Sequence, residues 1–344
     1  MHLHMWLCTF SLGLALEAHA DSASAPVPPL APLLTEDPAL KENPDAAWLR
    51  RREELKNRWL DILGRVPERR PPVSIETLET EELPEFTRQR IRYASGDGTP
   101  TEAYLLTPRS PAGRLPAVVV FHQTANSHMR QAAGVDESEP ELMQGAQLAA
   151  RGYVAICPRN FIFDGDADFE RQAAAVKARN PGWTGMTRML ADAFRAVDVL
   201  ESLPRVDASR IGCIGHSLGA KEALYAAAFD GRVRAAVSNE GGIGLQFSNW
   251  DAPWYLGSGI RSPGLGVEHH QLLALVAPRA FLLMGGDSAD DDRSRAFVEA
   301  ARPVYRVLGV SDRVQWFNHR AGHRYPPEAR EAAEAFLDRN LKAP

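Results

Sequence analysis

The apolar positions of this chain follow two rhythms. Over residues 46–63 they recur at helical spacing (Trp48, Leu49, Leu55, Trp59, Leu60, Leu63), and Gly64 closes the run. That pattern predicts an amphipathic helix, part of an extension over residues 46–70 that docks on the outside of the main domain. Three β-like runs follow at 74–83, 86–93 and 101–106, the last two joined by the turn-forming Ser95-Gly96-Asp97-Gly98, and read as antiparallel lead-in strands. A continuous apolar run at 117–121 then reads as a strand buried on both faces of a parallel sheet, and further strands are expected at 153–157, 211–215, 233–238, 279–284 and 314–317. Helical patterns alternate with them at 139–151, 186–203, 220–228, 293–308 and 327–341, and a polar insertion occupies 158–184. No internal repeat interrupts the alternation. The expectation is a single α/β domain over residues 71–344, with a doubly wound, mostly parallel sheet covered by helices on both faces.

Composition narrows the class of partner. With 344 residues, 44% of them hydrophobic and 24% charged, the chain is ordinary globular material. A net charge of -5 provides no basic surface for nucleic acid, and Arg50-Arg51-Arg52 sits among acids on a helical face that water can solvate. Residues 5–16 form an apolar stretch too short to span a bilayer, and Ala18-His19-Ala20 is a small-x-small cleavage pattern. Residues 1–20 are therefore read as a secretory signal peptide, with the mature chain secreted or periplasmic and no membrane partner. Residues 21–45, rich in Pro, Ala and Ser, are expected to be an extended and poorly ordered linker. Cys8 would leave with the leader; Cys157 and Cys213 fall in separate predicted core strands, so two buried thiols and no disulfide framework are expected.

The chemistry centres on Gly215-His216-Ser217-Leu218-Gly219, where an apolar strand turns into a helix-forming run. Two glycines let strand and helix approach closely while the serine is held outward, and the helix N-terminus offers N–H groups to a developing oxyanion. That is the arrangement of a nucleophile elbow. A serine hydroxyl needs a base and an orienting acid. In the loop Asn318-His319-Arg320-Ala321-Gly322-His323, His323 is the preferred base and His319 its competitor. Two strand ends offer the acid: Asp290, in the run Gly285-Gly286-Asp287-Ser288-Ala289-Asp290, and Glu240, in Ser238-Asn239-Glu240-Gly241-Gly242. Asp290 is placed slightly ahead. The Asp290-Asp291-Asp292 run lacks the spacing of an EF-hand, so no metal and no organic cofactor is called for. Backbone N–H groups of Leu218 and Gln123 are the expected oxyanion donors.

From about residue 115 onward the chain resembles the α/β-hydrolase superfamily, and within it the dienelactone hydrolase and acetyl xylan esterase-like group. The elbow with Ala220-Lys221-Glu222-Ala223, the Ser238–Gly242 block, Leu272-Leu273-Ala274-Leu275-Val276-Ala277-Pro278-Arg279-Ala280, and Ala321-Gly322-His323 carry the likeness. The same blocks are similar to carbohydrate glucuronoyl esterases. The resemblance implies an α/β-hydrolase fold, a serine ester hydrolase that works through an acyl-enzyme, and a small-molecule or carbohydrate ester as substrate. It also matches Lys221 to a sugar-contacting lysine, although a lysine snorkelling from its helix would look the same. Glucuronoyl esterases usually carry arginine directly after the nucleophile. Here Leu218 stands there, which favours a neutral acyl ester such as acetyl over a glucuronate ester. Trp250 and Trp254, in a Pro-interrupted loop, are candidates for stacking on sugar rings or for packing that loop. The rivals are a peptidase of the superfamily, disfavoured by the absence of a preceding propeller repeat, and a non-catalytic binding protein that kept the fold.

Overall fold

The computed structural model describes residues 26–34, 44–66, 71–109, 113–165, 168–262 and 264–342. The predicted leader lies outside them, as does most of the predicted linker. Nine described strands form one sheet: β1 (Glu76–Glu82), β2 (Phe86–Ala94), β3 (Pro100–Pro108), β4 (Leu115–Phe121), β5 (Val154–Pro158), β6 (Val206–His216), β7 (Val233–Asn239), β8 (Ala280–Gly285) and β9 (Val314–Asn318), in the order β1-β2-β3-β5-β4-β6-β7-β8-β9. β1, β2 and β3 pair antiparallel and β3 meets β5 antiparallel, while every later pairing is parallel. Strand alternation divides the core in two. Ala117, Val119 and Phe121 of β4 join one apolar cluster and Val118 and Val120 join the other. β4 separates β5 from β6, so the buried thiols of Cys157 and Cys213 lie on strands that do not touch.

The described helices are α1 (Pro44–Leu63), α2 (Met129–Ala132), α3 (Gln144–Ala150), α4 (Phe169–Arg179), α5 (Gly185–Ser202), α6 (Leu218–Phe229), α7 (Pro253–Leu256), α8 (His270–Val276), α9 (Arg295–Val307) and α10 (Pro327–Leu341). Two segments depart from expectation. The polar insertion contains α4, which buries only Val176 and therefore shows no apolar stripe; Asp168 caps it by accepting the Arg171 N–H at 3.0 Å. The stretch expected as one helix at 139–151 is a 3-10 turn at Pro140–Leu142 followed by α3.

The first helix contributes its apolar face to the core of the domain. Trp48, Leu55, Trp59 and Leu63 of α1 are buried in the larger core cluster. Trp59 stacks on His269 at 5.3 Å, meets Tyr225 of α6 edge-on at 5.9 Å, and donates its indole N–H to Gln271 at 3.1 Å. Residues 26–34, expected as loose linker, pack beside it, with Leu33 buried and the Ala31 carbonyl 3.0 Å from the His270 ring nitrogen. Because a buried tryptophan leaves a large void when truncated, Trp59→Ala is expected to cost roughly 3–5 kcal/mol, read as a fall in the denaturant midpoint. A midpoint unchanged within error would contradict a core role for α1.

Candidate active site

The parallel strands end at one edge, and the candidate residues gather there. β6 runs straight into α6 with Ser217 between them at φ 57 and ψ -115, a conformation L-residues rarely adopt. The flanking glycines make the turn possible. A Cβ on Gly215 would lie 2.1 Å from the Gly219 carbonyl oxygen, and one on Gly219 would lie 2.0 Å from that of Phe121. No side chain larger than hydrogen fits either position.

His323 sits on the loop between β9 and α10. Its Nε2 lies 2.9 Å from Ser217 Oγ and its Nδ1 lies 2.9 Å from Glu240 Oε2. His319 is turned elsewhere, with its Nδ1 accepting the Ala321 N–H at 3.2 Å. Glu240 follows β7 at φ 57, its side chain excluded from solvent. Its carboxylate accepts N–H groups from Gly286, from Ala289 at 2.8 Å and from Asp290 at 3.3 Å. The slight preference for Asp290 is thus corrected: it is Glu240 that meets the histidine. Asp290 points the other way and accepts from Gly242 N at 2.7 Å, Ile243 N at 2.8 Å and Ser294 Oγ at 2.7 Å. Burial and the neighbouring Glu240 push its carboxyl up to about 6.

The segment after Glu240 is held by side chains at successive backbone groups. Lys221 Nζ donates to the Gly241 carbonyl, Trp250 Nε1 to that of Gly242 at 2.7 Å, and His269 Nδ1 to that of Ile243 at 2.6 Å. The Tyr225 hydroxyl, 2.8 Å from His269 Nε2, donates there and so fixes that tautomer; burial keeps the ring neutral, its pKa pressed down to about 3. The candidate sugar platforms are therefore used by the protein itself. Trp250 is buried against His269 at 4.5 Å, and Trp254 is buried with its ring 3.6 Å from that of Tyr255. Packing of the loop, rather than an open stacking face, is what the two tryptophans provide here.

Leu218 opens α6, and the contact of Gly219 with Phe121 brings the loop bearing Gln123 against the elbow. That loop is stiffened from behind. His122 Nδ1 donates to the Gln123 carbonyl at 2.7 Å and its Nε2 accepts the Asn160 N–H at 3.1 Å, while Asn160 Nδ2 donates to the buried Glu222 of α6 at 3.1 Å. Burial lowers His122 to about 4, so the ring stays neutral. None of this was visible in the spacing of the chain. Nor was the opening itself, a cleft of about 300 Å³ lined by Ser138 to Leu142, His216, His323 and Arg324. His216, whose ring centroid lies 4.9 Å from that of His323, was written into the elbow motif but given no role. Arg324 crosses the cleft to Glu141 at 2.9 Å. Among the described residues no group of three or more His, Cys, Asp or Glu is arranged to hold a metal ion.

Residues 101–251 match the profile of the dienelactone hydrolase family. Over that span the chain is similar to dienelactone hydrolases. A Bacillus subtilis (strain 168) protein named as a hydrolase is 29% identical over 199 residues, spanning 54% of this chain and 63% of that protein. The 4-O-methyl-glucuronoyl methylesterase of Hypocrea jecorina (strain QM6a) is 27% identical over 177 residues, spanning 43% of this chain and 38% of the enzyme. The chain thus aligns with less than two thirds of the length of these curated relatives. A solved glucuronoyl esterase from Solibacter usitatus superposes with a TM-score of 0.75 at 21% identity, over 92% of this chain and 99% of the other. The domain has the α/β-hydrolase fold with antiparallel lead-in strands.

The raised carboxyl of Asp290 makes a prediction about stability. Its usual value is 3.8, so between about pH 4 and 6 the unfolded chain has released a proton that the folded chain still holds. Its contribution to stability is complete below about pH 4 and is lost as pH rises through about 6, by at most about 3 kcal/mol. Urea midpoints of the wild type and Asp290→Asn across that range should show the difference between them shifting in this direction; a constant difference would contradict it.

Proposed function

We propose that this domain is a serine carboxylic ester hydrolase that acts through an acyl-enzyme. The observation that carries the reading is the continuous chain from Ser217 Oγ to His323 to the buried Glu240, with both links at 2.9 Å. In the first half-reaction His323 takes the hydroxyl proton as Ser217 attacks the ester carbonyl, and returns it to the departing alcohol. Water then follows the same path in reverse roles to release the acid. Glu240 holds the imidazole with Nδ1–H toward itself and balances the imidazolium that forms. Leu218 and Gln123 supply backbone N–H groups to the tetrahedral oxyanion.

The substrate we infer is an acylated carbohydrate bearing a small neutral acyl group, with acetyl the leading case. Leu218 stands where an arginine would favour a glucuronate ester, the cleft is small, and its walls carry Glu139 and Glu141 against Arg324. A glucuronate ester is the second reading, favoured by the near-complete superposition on the Solibacter usitatus enzyme. Acetylated xylan and a methyl ester of glucuronic acid, assayed side by side, separate the two. The leader pattern in residues 1–20 supports export, which sequencing the N-terminus of the mature protein would test. Among the described residues no helix is long and apolar enough to cross a membrane.

The primary test is hydrolysis of p-nitrophenyl acetate. Ser217→Ala should abolish it, and Glu240→Gln should lower kcat on the order of 10³- to 10⁴-fold. Asp290→Asn should lower kcat by less than about tenfold, because that carboxylate supports a loop and not the imidazole. Equal activity of wild type and Ser217→Ala would refute the mechanism, and a larger loss for Asp290→Asn than for Glu240→Gln would reassign the acid.

A further inference from the structure

Lys221 lies one helical turn beyond Ser217, yet its ammonium turns into the protein and is almost wholly buried. Taking such a charge out of water is costly unless partners replace the water. Two of its N–H groups go to the Gly241 carbonyl and, at 2.9 Å, to Ser248 Oγ. The rings of Trp250 and Tyr255 lie over it at 4.6 and 5.6 Å. The charges that face it are the carboxylates of Asp290 and Glu240, which favour the ammonium, and Arg261, which opposes it; His269 beside it is neutral. Burial nevertheless draws its pKa down to about 7.

The Gly241 carbonyl belongs to the residue directly after Glu240, whose backbone sits at φ 57. Whatever anchors that carbonyl also fixes the direction in which the Glu240 side chain leaves the strand end. We propose that Lys221 is a positioning residue for the Ser217–His323–Glu240 array: it clamps the turn that carries the acid and is the buried countercharge to the Glu240 and Asp290 carboxylates. The proposal rests on the esterase reading and deepens it. It assigns the lysine to orientation of the acid and not to contact with a sugar.

The two roles differ in what a small substrate senses. In p-nitrophenyl acetate there is no sugar to touch, so a sugar-contacting lysine would be silent toward it. Lys221→Met is expected to lower kcat about ten- to hundredfold with KM changed less than about twofold. Ser248→Ala, which removes one anchor of the ammonium, should lower kcat about two- to fivefold and keeps the test decisive if Lys221→Met does not fold. Unchanged kcat in both variants, or a raised KM confined to sugar esters, would overturn the proposal. Ser217→Ala in the same assay separates the failures: if activity depends on Ser217 but not on Lys221, only this inference falls.

Discussion

A carboxylate removed from water must find its donors in the protein, and two neighbouring carboxylates must find them twice. The solution here is reciprocal. Glu240, on the loop after β7, accepts backbone N–H groups from the loop after β8, while Asp290, on the loop after β8, accepts them from Gly242 and Ile243. Each loop solvates the acid of the other. Neither loop can shift without stranding a buried charge, so the strand ends that carry the acid and flank the histidine loop are locked in relative position. The aromatic cluster below, from Trp59 through His269 to Trp250, extends that bracing to α1.

This reciprocity explains why the acid was hard to read from sequence. Glu240 and Asp290 both stand beyond the C-terminal ends of adjacent parallel strands, Glu240 directly before Gly241 and Asp290 four residues after Gly286, and local pattern does not decide between them. The choice is made by which side chain turns toward His323, a tertiary matter. The elbow, in contrast, was legible because its constraint is local: glycines at 215 and 219 leave one way for strand and helix to pass. Most strands were legible for the same reason, since burial on both faces writes a continuous apolar run. α4 was not, because a mostly exposed helix leaves no stripe. The tryptophans of the 250–254 loop show the opposite difficulty: an aromatic ring beside a site has the same letter whether it faces the cleft or the core.

The polar network behind the loop after β4 belongs to the same class of hidden feature. His122, Asn160 and Glu222 come from three separate elements and carry no shared motif. Together they tie the loop after β4 to the helix that begins at the nucleophile, so that Leu218 and Gln123 are held by one framework. On the proposed mechanism, donors held in this way would need no rearrangement as negative charge develops.

His323 stands 106 residues beyond Ser217 along the chain. As the polypeptide leaves the ribosome, the elbow and Glu240 emerge well before β9 and the loop that bears His323. Until then Ser217 lacks its hydrogen-bond partner in the His323 imidazole. The order of synthesis thus withholds His323 from Ser217 until the last strand closes the edge of the sheet, and on the proposed mechanism the array is completed only then.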